Sequence, residues 1–112
     1  MIRNVPHHAD ALSFMARRQP HGTGIDSWVV EGTGKYSTDC ERGRALADEF
    51  VAYFGEFTTN GNMILLGCIV TEMVAKGEDQ VPRGLIIGFM GRISEVLAIG
   101  ARFEFALKGE AA

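Results

Sequence analysis

The fold is decided by residues 82–107, which read PRGLIIGFMGRISEVLAIGARFEFAL. Large apolar residues recur here every three or four positions, which is the period of one helical face. That face carries Leu85, Ile86, Phe89, Ile93, Val96, Leu97, Phe103 and Leu107. The leading proline suits the first turn of a helix, because it lacks an amide hydrogen and its φ angle is already helical. We therefore predict a long C-terminal helix over residues 82–107.

The end of this stretch has two interpretations. Gly100 interrupts the apolar pattern, and residues 102–105 alternate between charged and aromatic side chains, which is typical of a strand. The helix either continues to Leu107 or stops at Gly100, with a third short strand at 101–107. The helix is favoured, because alanine, arginine, glutamate, leucine and lysine are good helix formers and no β-branched residue follows Gly100.

Opposite the apolar face runs a strip of small and charged residues at spacings of three and four. Its members are Gly84, Gly88, Gly91, Glu95, Ala98 and Arg102. Each glycine inside a helix costs about 1 kcal/mol relative to alanine, so several together indicate close approach by another backbone.

Two neighbours could cover this strip. One is another segment of the same chain, such as the hairpin or the N-terminal stretch. The other is the same helix of a second copy, antiparallel about a twofold axis near Ala98. In that dimer Glu95 would face the partner's Arg102, and the substitution Gly88→Leu would separate the two copies.

Two further helices are predicted before the C-terminal one. The first covers residues 39–57, because Thr38 and Glu41 have the spacing of a capping box. Its apolar face carries Gly43, Leu46, Ala47, Phe50, Tyr53, Phe54 and Phe57. The second covers residues 62–77 and is apolar on almost every side, which indicates a central, buried helix.

A short β-hairpin is predicted over residues 27–37, where β-branched and aromatic residues flank a turn that holds Gly32 and Gly34. Two strands alone are marginal in water, so this hairpin must lie on the helices. The predicted fold class is therefore mainly α, a small helical bundle with one short hairpin.

The N-terminal region gives weaker signals. Residues 7–18 are a weak helix candidate, which Pro20 ends because the residue before a proline avoids the helical conformation. We expect one domain spanning 1–112, in which residues 1–21 are a candidate for a loosely packed N-terminal extension.

Composition excludes several classes of protein. The chain has 112 residues, of which 46% are hydrophobic and 22% charged, so we expect one ordinary folded domain and no large catalytic architecture. The formal net charge of −3 argues against a nucleic-acid partner, which would call for a clustered basic surface.

The cellular compartment is predicted from the number of cysteines and from the length of the apolar runs. Cys40 and Cys68 are expected to be reduced thiols, with one bridge between them as the minor alternative. The sequence shows no secretory signal, and its longest apolar run, residues 63–70, is far shorter than the roughly 20 residues of a membrane helix. We expect a cytoplasmic protein with no membrane partner.

No constellation of residues predicts catalysis, a metal or a cofactor. The glycine-rich loop before Lys35 fails the phosphate-loop motif, because Val29 stands at the first glycine position and Tyr36 at the magnesium-binding hydroxyl. His7 and His8 point in different directions on any regular element, so they would chelate one ion poorly. Whether the protein is an enzyme stays open, and the sequence favours that it is not.

Two functions remain. The favoured one is a helical interaction or accessory module that acts through self-association, as a dimer. The alternative is a small-ligand binder or minor enzyme, with a pocket between hairpin and helices lined by Trp28, Tyr36, Tyr53 and Met73. Polar groups for that pocket would come from His21, Asp26 and Lys35. A concave pocket that gathers these groups would favour the ligand binder, and their dispersal would favour the interaction module.

Overall fold

The computed structural model describes residues 5–18 and 24–111. In chain order the elements are α1 (His8–Ala11), β1 (Ala16–Arg17), β2 (Ile25–Asp26), α2 (Tyr36–Glu56), α3 (Asn60–Met63), α4 (Leu65–Lys76) and α5 (Arg83–Ala111). The two strands pair antiparallel in one small sheet. The predicted class, a small helical bundle with a short hairpin, is confirmed.

The C-terminal helix α5 runs without a break to Ala111, so the favoured prediction for residues 82–107 is correct. The alternative of a third strand at 101–107 is wrong. Helix formers dominate this segment, and Gly100 alone costs only about 1 kcal/mol in a helix interior.

Helix α2 begins three residues earlier than predicted, and the predicted capping box is wrong. The N-cap is Lys35, which makes no side-chain capping bond, and Thr38 lies inside the first turn. The buried carboxylate of Asp39 instead reaches back to Thr33, accepting from its amide at 2.8 Å and its hydroxyl at 2.9 Å. These bonds hold the preceding loop against the start of α2.

The predicted helix over residues 62–77 is two helices, α3 and α4, separated at Ile64. Thr59 caps α3 by accepting from the amide of Asn62 at 3.2 Å. α4 buries Ile69 and Met73 but leaves Val74 75% exposed. The expectation that this segment is buried on most sides is therefore wrong, because α4 lies at the edge of the core.

The hairpin is present but lies elsewhere than predicted at 27–37. Its strands are β1 and β2, with Ala16 opposite Asp26 and Arg17 opposite Ile25. The segment around Val29 is extended without being part of the sheet, and its amide donates to the Phe14 carbonyl at 2.9 Å. Trp28, before Val29, is buried, so the aromatic and β-branched residues that suggested a strand here reflect burial and not strand pairing.

The core joins the N-terminal segment to α2, α4 and α5. The predicted helix over residues 7–18 is helical only in α1, and Phe14 further along is fully buried. The ring of Phe14 lies 5.3 Å from that of Trp28 and 5.8 Å from that of Phe89 on α5. This part of the segment 1–21 is thus packed into the bundle; residues 1–4 and 19–23 lie outside the described residues.

Candidate functional site

The first half of α5 is held against α2 through three glycines. A Cβ atom on Gly88 would lie 2.7 Å from the carbonyl carbon of Cys40, and one on Gly84 would lie 2.7 Å from the Tyr36 oxygen. On the other helix, a Cβ on Gly43 would lie 2.8 Å from the amide nitrogen of Phe89. Real Cβ atoms do not come so close to a backbone, so the two helices can cross at this distance only with glycine at these positions.

This crossing covers the first part of the predicted interface strip. Gly84 and Gly88 are buried by α2 of the same chain, which is neither the hairpin nor the N-terminal stretch that the sequence suggested. They are not available to a second copy. The substitution Gly88→Leu therefore cannot test for a dimer, since that change would disrupt the fold of a single chain.

The rest of the strip faces solvent. No neighbouring atom among the described residues lies within 4 Å of a Cβ position on Gly91, and Ala98 and Arg102 are exposed. Glu95, predicted to face the partner's Arg102, is paired within the chain with Arg44 at 2.6 Å. The structure thus divides the strip into a part covered by α2 and a part that is open.

The second half of α5 extends past the helices that it packs on. At 1.5 Å per residue, α5 is about 43 Å long, whereas α2 is about 31 Å and α4 about 18 Å. All residues from 97 to 109, which we call the arm, are exposed. Its large apolar residues are Leu97, Ile99, Phe103, Phe105 and Leu107.

The arm continues the apolar face that packs in the core. Ile99, Phe103 and Leu107 recur at intervals of four, so they lie along one side of the helix. Phe103 is 65% exposed and Phe105 80%. A fully buried aromatic side chain removes about 150–250 Å² from water, so these two rings alone expose roughly 200–350 Å². Phe103 and Phe105 are two positions apart, about 200° around the helix, so these areas lie on opposite sides of the arm and do not form one patch.

An apolar cavity of about 280 Å³ lies where α5 leaves α2. Its walls come from α2, α3, α4 and α5, and its lining residues are Phe50, Val51, Phe54, Asn62, Met63, Leu66, Ile93, Val96 and Leu97. The rings of Phe50 and Phe54 are nearly parallel, with centroids 5.8 Å apart, and form one wall. Leu97 belongs to both the cavity and the arm, so the two features are continuous.

Two ion pairs connect α5 to α2. Arg44 binds Glu95 with two hydrogen bonds, at 2.6 and 3.3 Å, and Arg92 binds Asp48 at 2.6 Å. The hydrogen bond from Arg44 holds the pKa of Glu95 below its ordinary value and raises that of Arg44 itself. Both pairs are largely exposed, so they orient the helices more than they stabilise them.

The four predicted pocket residues are dispersed. Trp28 and Met73 are core residues, and Tyr53 is buried, with its hydroxyl donating to the Pro6 carbonyl at 2.8 Å. Tyr36 is 58% exposed on the first turn of α2. A cavity of about 540 Å³ does lie beside Trp28, but none of the other three lines it. The predicted pocket is therefore not assembled.

The polar groups expected for that pocket are also apart. Asp26 is paired with Arg18 at 3.0 Å, Lys35 is exposed at the start of α2, and His21 lies outside the described residues. Neither Asp26 nor Lys35 lines the cavity beside Trp28.

Other ionisable groups have structural roles. The Nδ1 atom of His7 accepts from the Ala9 amide at 3.1 Å and caps α1. Burial, together with the neighbouring His7, lowers the pKa of His8. Cys40 and Cys68 are free thiols, and a hydrogen bond with Cys40 raises the pKa of the Tyr36 hydroxyl. Within residues 5–18 and 24–111, no group of three or more potential ligands is placed to hold a metal ion.

One helix in the described part of the chain is long and apolar enough, by length and composition, to cross a membrane, and it is Arg83–Gly109. The sequence of this helix contains no long uninterrupted apolar run, because arginine, serine and glutamate are spaced along it. Leu85 and Phe89, in its first half, are fully buried in the core. That half is a core helix of the bundle.

Comparison with known proteins assigns no relative to this chain: no protein family, curated protein or solved structure matches it. The candidate site therefore rests on the geometry of the arm and the cavity. Sequence reasoning missed both, since it placed Phe103 and Leu107 on a buried face. The signal that could have revealed the arm is length, because the predicted C-terminal helix was already longer than either helix available to cover it.

Proposed function

We propose that the protein is a small self-associating helical module, and that the arm of α5 is the surface at which two copies meet. The observation that carries this proposal is the apolar face of the arm, where Ile99, Phe103 and Leu107 are exposed along one side of the helix. A helix that projects from a bundle with such a face gains by packing against another apolar surface.

The arm also lacks packing partners among the described residues. Its 13 residues lie beyond the helices that support the first half of α5. Isolated helices shorter than about 12–15 residues are marginal in water, and most helices in proteins are stabilised by packing of their apolar face. A second arm packed against it would supply that support.

The dispersed pocket residues are consistent with this proposal, because the particular pocket predicted for the ligand-binding alternative is not assembled. The two free cysteines fit a reducing compartment, and we place the module in the cytoplasm on that ground. No catalytic or cofactor role is part of the proposal.

Light scattering on the purified full chain tests the proposal. We expect twice the 12.2 kDa mass of one chain at micromolar concentration. The variant Phe103→Gln should shift this mass toward that of one chain, because it places a polar group on the contact face. The matched control is Val74→Gln, which makes a similar change at an exposed apolar residue of α4 and should leave the mass unchanged.

A wild-type mass of one chain over the whole concentration range would contradict the proposal. So would a dimer that Phe103→Gln and Val74→Gln disturb to the same extent. Circular dichroism of both variants checks that the helices are retained.

A further inference from the structure

The extended segment before α2 has one edge with unused hydrogen-bonding groups. The amide of Val29 donates to the Phe14 carbonyl on one side of the segment. Trp28 and Val30 are buried and Val29 between them is exposed, so the main-chain groups of Trp28 and Val30 face the opposite side. There the Lys76 ammonium donates to the Trp28 carbonyl. The amide and carbonyl of Val30 have no hydrogen-bond partner within the part of the chain that the structure describes.

The cavity of about 540 Å³ beside Trp28 is a groove open to solvent, and this edge is one of its walls. The opposite wall is the connection from α4 to α5, which contributes Lys76, Asp79, Gln80 and Pro82. The two walls touch at Gly32, where a Cβ atom would overlap the ring of Pro82. This contact fixes the spacing of the walls in the free protein, and a preformed site lowers the cost of ordering on binding.

We propose that this groove binds an extended peptide of another protein, which adds as a strand at Val30 and carries a lysine or an arginine. A strand edge with unpaired amides and carbonyls can pair with another chain, and the main-chain hydrogen bonds then supply affinity. The amide and carbonyl of Val30 would both bond to one peptide residue, as in a hydrogen-bonded pair of strands. This inference goes beyond the proposed function and does not depend on the arm.

The charges of the groove favour a basic peptide. Glu31 and Asp79 lie on opposite walls and are exposed, and neither carboxylate is in an ion pair among the described residues. The ammonium of Lys76, which also lines the groove, already donates to the Trp28 carbonyl. A lysine or arginine of the peptide would meet two carboxylates without a counter-ion, and such complementarity selects between partners.

Other occupants suit the groove less well. Pockets for apolar small molecules are lined mainly by hydrophobic and aromatic side chains. The ring of Trp28 instead packs in the core, 5.3 Å from that of Phe89, and charged residues stand on both walls of the groove. Two copies paired through this edge would bring the carboxylates of Glu31 and Asp79 close to their own counterparts, and like charges in an interface oppose association.

Selection from a phage-displayed library of random heptapeptides on the immobilised full chain tests this binding. We expect enriched sequences that contain lysine or arginine among β-branched residues, which favour extended backbone. One enriched peptide is then synthesised and titrated into the ¹⁵N-labelled chain. The Val30 amide proton should move downfield as it gains a hydrogen bond, while the resonances of the arm stay in place.

Two N-methylated versions of that peptide distinguish main-chain from side-chain binding. Successive amides of a strand point to opposite edges, so methyl groups on alternate residues face the groove in one version and solvent in the other. The version with methyl groups toward the groove should bind at least about tenfold more weakly, because it loses main-chain hydrogen bonds.

Charge variants test the preference for a basic peptide. Glu31→Gln combined with Asp79→Asn should weaken binding of a lysine-containing peptide about fivefold at low salt. The control Glu78→Gln removes a neighbouring exposed carboxylate that does not line the groove, and it should weaken binding less than about twofold. If the control has as large an effect, the peptide is not selected by its charge at this groove.

Three results would overturn strand addition at Val30. They are the absence of any enriched peptide, equal binding of the two N-methylated versions, and resonance changes confined to the arm. Self-association of the chain in light scattering would be unaffected by any of them.

Discussion

Gly88 on α5 lies directly against the main chain of Cys40 on α2, so that a Cβ atom on Gly88 would be 2.7 Å from the carbonyl carbon of Cys40 and closer still to its oxygen. The contact is between backbones, and no side chain can rotate away to make room. It fixes where α2 and α5 cross. The position of the crossing in turn determines how many residues of α5 extend past α2 as the arm.

The first prediction concerns this contact. Gly88→Ala should lower the free energy of unfolding by about 3 kcal/mol, because overpacking of a tight contact costs about 1–3 kcal/mol and more where the neighbour is backbone. Gly67→Ala is the matched control, since Gly67 lies in α4 with open space at its Cβ position. It should raise the stability by about 0.5–1 kcal/mol through helix propensity. Urea unfolding followed by circular dichroism measures both; equal effects would show that the helices do not cross at Gly88.

The second prediction concerns the loop before α2. Asp39→Ala removes the acceptor of two hydrogen bonds from Thr33, so the loop before α2 is no longer bonded to this position of the helix. Hydrogen bonds to a charged group contribute about 1.5–3 kcal/mol, so we expect a loss of stability in that range. Asp79→Ala, at an exposed carboxylate, should change the stability by no more than about 0.5 kcal/mol. A similar small change in Asp39→Ala would contradict the structural role of Asp39.

The third prediction concerns pH. The pKa of Glu95 in the folded protein is lowered from the ordinary 4.5, chiefly by its hydrogen bond with Arg44. A lowered folded pKa means that the pair stabilises the fold above about pH 4.5, and that this contribution is lost as the pH falls through the folded pKa. The contribution is small, because the pair is exposed and screened by salt.

An NMR titration of the Glu95 carboxyl group measures this directly. The midpoint should lie below 4.5 in the wild type and move up toward 4.5 in Arg44→Met. Arg42→Met, at an exposed arginine on the same helix, should leave the midpoint where it is in the wild type. If Arg44→Met has no more effect than Arg42→Met, the pair does not form in solution.

The two long helices were predicted well from the sequence because their signals are local, whereas the helices predicted over 7–18 and 62–77 were only partly correct. The period of apolar residues located α2 and α5. The β-branched and aromatic residues that flank Gly32 and Gly34 led to the wrong hairpin, since such residues look alike in the sequence of a paired strand and of an unpaired extended segment. Whether a segment has a partner strand depends on residues elsewhere in the chain.

The crossing of α2 and α5 was only half predicted. The glycines of α5 indicated a close neighbour, but Gly43 was counted among apolar face residues and not as their counterpart. A helical pattern shows which side of a helix is packed and does not identify the neighbour. For the same reason Phe103 was placed on a buried face, whereas no part of the chain that the structure describes covers it.

Amide hydrogen exchange of the arm at two protein concentrations tests the central claim most directly. If two arms pack together, the amides of residues 97–107 should exchange much more slowly at high concentration than at a concentration where the chains are apart, because a lone helical extension of this length frays. The amides around Leu85, in the core half of α5, should be protected equally at both concentrations. Exchange in the arm that does not change with concentration would contradict the claim that a second copy covers it.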